Sequence, residues 1–177
     1  FRSWSIDNRL DGGAGDDGLL GWAGNDTLTG GTGADTLDGG EGFDYADYSM
    51  ASAAVGLDLA AQGGYGRGHH GHGRGHHSHA ERGVGEAQGD RFIGIEGVWG
   101  SEFNDTIAGN ARANDLFGNG GDDILSGGAG NDTLEGAAGD DILIGGAGAD
   151  LFIFTSGTDV ITDFTQGWSW GYWSVAG

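Results

Sequence analysis

Cysteine and proline are absent from this sequence, and basic residues are scarce: 7 Lys+Arg stand against 27 Asp+Glu. Without cysteine there is no disulfide framework, so any staple must come from bound metal. The net charge of −20 makes phosphate backbones and anionic membranes poor partners, which disfavours nucleic-acid binding. Self-repulsion of that size opposes compaction unless cations neutralise it. No apolar run approaches transmembrane length, and the first residues lack the basic stretch and apolar stretch of a signal peptide. A start at Phe1 in place of Met reads as a processed, truncated or partial chain. The 177 residues fit one domain, or two only if both are small.

What abounds is glycine, at 42 residues. Glycine at that level without a period would mean disorder, because it loses the most backbone entropy on folding. Here it is periodic. From Gly12 the chain reads GGAGDDGLL, GWAGNDTLT, GGTGADTLD, GGEGFDYAD, four nonapeptides ending at Asp47. From Gly100 it reads GSEFNDTIA, GNARANDLF, GNGGDDILS, GGAGNDTLE, GAAGDDILI, GGAGADLFI, ending at Ile153. Residues 3–11 (SWSIDNRLD) form a degenerate unit, with Asn8 sixth and Leu10 eighth.

The register is tight. Position six holds Asp17, Asp26, Asp35, Asp44, Asp105, Asp123, Asp132, Asp141 and Asp150, with Asn114 the one departure. Position eight holds Leu19, Leu28, Leu37, Ala46, Ile107, Leu116, Leu125, Leu134, Leu143 and Phe152. A solvated acidic loop would not keep carboxylates and aliphatics in phase across two arrays. The residues carry a resemblance to the RTX (repeats-in-toxin) calcium-binding repeats, pattern G-G-x-G-x-D-x-U-x. The resemblance implies an all-β fold, a right-handed parallel β-roll in which GGxGxD makes a turn and xUx a short strand.

Chemistry points the same way. Glycines at positions one, two and four allow left-handed backbone and bring carbonyl oxygens together. A hard cation takes about 6–8 oxygen ligands, which aspartates and carbonyls supply. The expected ligands are therefore the position-six side chains, with Gly12, Gly30, Gly31, Gly33, Gly118, Gly127, Gly128, Gly130, Gly136 and Gly145 through their carbonyls. Each ion is expected between turns on one side of the roll. That pairs Asp17 with Asp35, Asp26 with Asp44, Asp105 with Asp123, Asn114 with Asp132, Asp123 with Asp141 and Asp132 with Asp150. The count is roughly six Ca2+ ions, one site weakened by the neutral Asn114. A ladder of single aliphatics buries little surface, so folding is expected to couple to metal.

The expected organisation is one domain over 1–177. It runs through a first array at 3–47, linking strands at 48–99, a second array at 100–153 and a cap with an aromatic tail at 154–177. In the linking part, Val55, Leu57 and Leu59 alternate with Gly56 and Asp58, and Ile93 and Ile95 alternate before Glu96. A similar D-Y-S … G-D-x-x-x-x-I-E module links arrays in RTX proteins, so these segments are read as further strands of the roll. Within a Gly/His-rich loop at 62–80 lies a seven-residue unit at 66–72 repeated at 73–79. Its His69, His70, His72, His76, His77 and His79 are candidate transition-metal ligands, since imidazole suits Zn2+, Cu2+ and Ni2+. Gly/His tracts lack the partners that fix ligand geometry, and a flexible surface loop is the preferred reading.

Apparent catalytic motifs lack their contexts. The G-x-S-x-G match at 167–171 has no acid or histidine after it, and the G-x-G-x-x-G match at 66–71 has no βαβ unit. No H-E-x-x-H occurs, and the N-D-T triplets at Asn25, Asn104 and Asn131 arise from the repeat. The segment from Leu151 resembles the family's closing segment (D-x-F-x-F, then D-x-I-x-D-F) as far as Gly167. Beyond it, Trp168, Trp170 and Tyr172 alternate on one face of an extended chain, with Trp173 beside them. They form either a protein-partner or self-assembly surface or a cover for the end of the roll.

Two function classes follow. The first is a secreted or cell-surface, non-catalytic structural or interaction module that folds on calcium. The second is the C-terminal folding and type I secretion module of a larger secreted protease, lipase or polysaccharide-modifying enzyme. An encoded chain reaching far upstream of Phe1 would favour the second.

Overall fold

The computed structural model describes residues 5–61 and 85–163. They form short parallel strands, set by the repeat's x-U-x triplet. An apolar residue flanked by two outward-facing ones suits a strand covered on one side. The first array gives β1 (Arg9–Asp11), β2 (Gly18–Leu20), β3 (Thr27–Thr29), β4 (Thr36–Asp38) and β5 (Tyr45–Asp47). The linking part gives β6 (Gly56–Asp58), β7 (Arg91–Ile93) and β8 (Gly97–Trp99). The second array and its cap give β9 (Thr106–Ala108), β10 (Asp115–Phe117), β11 (Ile124–Ala129), β12 (Thr133–Glu135), β13 (Ile142–Ala147), β14 (Leu151–Ile153) and β15 (Val160–Ile161). Among the described residues there is no α-helix; single 3-10 turns lie at Leu59–Ala61 and Gly85–Ala87.

Each strand pairs with the strand two repeats on, so one coil takes two nonapeptides. Leu10 stands against Leu28, Leu19 against Leu37 and Leu125 against Leu143. The product is an all-β parallel roll with two facing sheets. One face is continuous, in the order β1-β3-β5-β8-β10-β12-β14. The other is split into β2-β4-β7 and β6-β9-β11-β13-β15.

The split arises in the linking part. The chain makes β6 before β7, yet β6 pairs forward with β9 while β7 pairs back with β4. The first face thus gains one strand between the arrays and the second gains two. Nothing in the sequence announces this exchange, because both segments present the same alternating pattern.

Position eight forms the core. Leu28, Leu37, Ala46, Leu116, Leu125, Leu134 and Leu143 are all 0% exposed. Leu19, Ile107 and Phe152 are buried with them, and Val98 and Phe92 continue the two ladders through the linking part. Val55, Leu57 and Leu59 are buried as their alternation predicts. The alternation of Ile93 with Ile95 is not kept. Phe92 points inward, Ile93 is exposed and Ile95 is buried, because Gly94 at φ +59° reverses the side between them.

Candidate metal centre

The turns stack in two columns, one along each edge of the roll. Position six closes each turn just before its strand, and from Asp26 onward its side chain is buried: Asp26, Asp44, Asn114 and Asp141 are each 0% exposed, while Asp17 in the first turn is half-buried. A single hydrogen-bond rule joins successive coils. The backbone N–H of each position-six residue donates to the side-chain Oδ1 of its counterpart one coil on. Asp17 donates to Asp35 at 2.8 Å, Asp26 to Asp44 at 2.7 Å, and Asp105 to Asp123 at 2.7 Å. Asn114 donates to Asp132 at 2.8 Å, Asp123 to Asp141 at 2.8 Å, and Asp132 to Asp150 at 3.1 Å. All six pairs expected from the register are therefore brought together.

Each accepting carboxylate spends one oxygen on that bond. The other, Oδ2, is buried with no hydrogen-bond partner in Asp17, Asp26, Asp35, Asp44, Asp123, Asp132 and Asp141. Buried polar atoms in folded proteins are almost always paired, so a periodic series of seven exceptions requires a partner of another kind. Burial pushes the carboxyl of Asp123 up to about 7 and those of Asp44 and Asp132 up to about 6. The N–H donated from the previous coil pulls each back, and neighbouring carboxylates push it up again. A bound cation reverses that balance by supplying the missing charge.

The walls of the cradle come from position one. A Cβ on Gly12 would stand 2.7 Å from the carbonyl oxygen of Gly30 and 3.1 Å from Asp17 Oδ2. At Gly100 it would stand 2.5 Å from Asp105 Oδ2 and 2.8 Å from the Gly118 carbonyl. Gly118 faces Asp123 Oδ2 and the Gly136 carbonyl, and Gly109 faces the Gly127 carbonyl. Glycine is needed here because a side chain would fill the space between carboxylate and carbonyl. Gly127, Gly136 and Gly145 lie against Oδ2 of Asp132, Asp141 and Asp150 in the same way.

The expected ligands at positions two and four occupy the adjoining stack. Gly31 (φ +93°) and Gly33 (φ +139°) pass directly over the carbonyls of Gly13 and Gly15. Gly128 and Gly130 pass over Asn110 and Arg112, and their own carbonyls face Gly146 and Gly148. Oxygens of successive turns are thereby laid one above another. Among the described residues no three acidic or histidine side chains converge on one point. A cation in these turns would hence be held by carboxylate and carbonyl oxygens together, a donor set suited to calcium.

Several participants were not picked out from the sequence. Gly21 and Gly39 serve as Gly12 does, Gly100 and Gly109 hold the same place in their own turns, and position in the repeat was signal enough. Asp90 and Glu96 carry the columns through the linking part, accepting from Asp35 N–H at 2.8 Å and Asp44 N–H at 3.2 Å. Asp159 does the same at the far end for Asp141, at 3.2 Å. Position five forms a second ladder running the other way. Asp16 accepts from Ala34 N–H, Asn25 from Phe43, Asp122 from Asp140 and Asn131 from Ala149. The doubled acids of the repeat are thus divided: position six turns into the cradle and position five laces the outside of the coil.

The histidines 69, 70, 72, 76, 77 and 79 and the aromatics 168, 170, 172 and 173 lie outside the described residues. Among the described residues no helix is long and apolar enough to cross a membrane.

Fold and turns together define a calcium-binding β-solenoid built on nonapeptides. The chain matches the RTX calcium-binding nonapeptide repeat family over residues 7–28, 12–46, 99–134 and 126–161, more than half of its length. It belongs to that family. No curated protein matches the chain in sequence.

Proposed function

We propose that this protein is an extracellular, non-catalytic module that orders when calcium enters its turns and then serves a structural or interaction role. The observation that carries the reading is the file of buried, partnerless carboxylate oxygens set against glycine carbonyls. An unsatisfied buried polar atom costs about 1–3 kcal/mol, and more when charged. A series of them opposes the ordered chain, and calcium, which seeks about 6–8 oxygens, turns the same atoms into its chief support. Asp17, Asp26, Asp35, Asp44, Asp123, Asp132, Asp141 and Asp150 would hold it, with the position-one carbonyls.

Weak modular sites, with affinities of about 10⁻⁴–10⁻³ M, suit extracellular calcium. Inside a cell such a chain stays unfolded, a state compatible with export through a narrow channel and ordering outside. The non-catalytic part of the reading rests on motifs whose contexts are missing from the sequence.

Circular dichroism during a calcium titration, begun in EDTA, is the direct test. The expected result is a cooperative gain of β signal with calcium and little with magnesium, which demands near-octahedral geometry. A chelated chain with its full β signal would overturn the proposal.

A further inference from the structure

Two turns depart from the rule, and they are neighbours at the join between the linking part and the second array. In the turn at 100–105, Ser101 occupies position two. Its N–H donates to Asp105 Oδ2 at 2.5 Å, and its hydroxyl to Asp105 Oδ1 at 2.7 Å. Val55 N–H completes the set on Oδ1 at 2.6 Å. The oxygen left bare in seven other aspartates is here occupied by a donor of the same turn.

The next turn, at 109–114, repeats the device with different atoms. Asn110 N–H donates to Asn114 Oδ1 at 2.9 Å, and Asn114 Nδ2 donates to the Glu96 carbonyl at 2.9 Å. In both turns the position-two side chain also braces position four: Ser101 Oγ accepts from Phe103 N–H and Asn110 Oδ1 from Arg112 N–H.

The backbone gives an independent sign. Position two is left-handed at Gly13, Trp22, Gly31, Gly40, Asn119, Gly128, Ala137 and Gly146. Trp22, Asn119 and Ala137 hold this conformation at φ near +75° despite the strain it places on an L-residue. Ser101 and Asn110 do not adopt it, and neither do Phe103 and Arg112 at position four. The conformation that turns the position-two N–H away from the carboxylate is thus missing at the two turns where that N–H fills the cradle. The correlation is with backbone state and not with residue type, since Asn occurs on both sides of it.

We infer that the turns at 100–105 and 109–114 are closed by the chain's own donors and take no calcium, so that two calcium-dependent arms flank a calcium-independent waist. The inference rests on the calcium reading above and assigns that reading's sites. A cation at Asp105 would have to displace an N–H and a hydroxyl, and one at Asn114 would meet an amide donor in place of a charge. The waist has other ties: Arg112 pairs with Glu96 at 3.2 Å, and the Tyr45 ring stacks on Trp99 at 4.9 Å while its hydroxyl reaches Asp115 at 3.0 Å.

Native mass spectrometry of the full chain at saturating calcium counts the ions. Asp105→Asn is expected to keep the wild-type count, whereas Asp123→Asn loses one. Because Asp105→Asn can also disturb folding, a gain-of-site variant provides a second reading. Ser101→Gly with Phe103→Gly restores the glycine pattern and is expected to add one ion. Loss of an ion on Asp105→Asn, or an unchanged count in the glycine variant, would overturn the assignment. A wild-type chain with no bound calcium is a different result, and overturns the calcium reading itself.

Discussion

The backbone N–H of Asp123 donates to Oδ1 of Asp141 at 2.8 Å, while Oδ2 of that carboxylate is buried without a partner. One side chain thereby has two separable duties. Oδ1 fixes the spacing of successive coils, and Oδ2 waits for charge from outside the chain.

Asp141→Asn separates those duties. The amide oxygen can still accept the Asp123 N–H, but a neutral NH2 replaces the bare oxygen. In calcium the variant is expected to need about tenfold more metal for half-maximal β signal, equivalent to about 1.4 kcal/mol. In EDTA the same variant is expected to be no less ordered than wild type, since a buried unpaired charge has been removed. Paired calcium titrations and chelated controls by circular dichroism check both signs.

The cradle's dependence on glycine predicts a contrast between two substitutions identical in kind and different in effect. Gly118→Ala places a methyl between Asp123 Oδ2 and the Gly136 carbonyl, 2.8 Å from the latter. Calcium binding at that turn should be lost, one ion fewer by native mass spectrometry. Gly18→Ala, on β2, meets nothing within 4 Å and needs no left-handed backbone. It is expected to be neutral, or stabilising by about 0.4–1 kcal/mol through the unfolded chain.

Position six and position eight were legible from the sequence because the repeat forces each to one environment. From Leu19 to Leu143 the aliphatics of the ladder are buried, and each of the six expected position-six pairs is joined by a hydrogen bond. The waist was not legible in the same way. Asp105 has the right letter at the right place, and only the hydrogen bonds from Ser101 show that its carboxylate is already engaged. The exchange of β6 and β7 was hidden for a related reason. Strand pairing across the roll depends on where Gly94 and the linking turns redirect the chain, whereas alternation reports only which side chains face inward. Asp90 and Glu96 lay in a recognisable G-D … I-E spacing, but outside the nonapeptide frame their role as coil-spacing carboxylates had no periodicity to reveal it.

Ala137 adopts φ +75° at a position where glycine usually stands. A left-handed conformation costs an L-residue about 1–2 kcal/mol, and glycine's extra unfolded freedom offsets about 0.5–1 of that. Ala137→Gly is therefore expected to stabilise the calcium-loaded roll by a net amount on the order of 0.5–1 kcal/mol. Thermal unfolding in saturating calcium should show a midpoint higher by a few degrees, with the ion count unchanged. A lower midpoint would mean that the alanine methyl makes a contact worth more than the strain.

Protons and calcium should act on the same oxygens with opposite consequences. Burial raises Asp123 to about 7 and Asp44 and Asp132 to about 6, against an ordinary aspartate near 3.8. A group whose folded value is raised favours the folded state below its unfolded value and loses that contribution as pH climbs through the folded one. In EDTA, then, the roll should be most ordered near pH 4 and lose order as pH rises through about 6 to 7. With calcium present the sign inverts, because a protonated carboxyl is a poor ligand. The metal needed for half-maximal order should rise as pH falls from 7 toward 5. Circular dichroism against pH, with and without calcium, reads both limbs. A chelated chain that gained order on going from pH 5 to pH 8 would show that these aspartates are not desolvated in the metal-free roll.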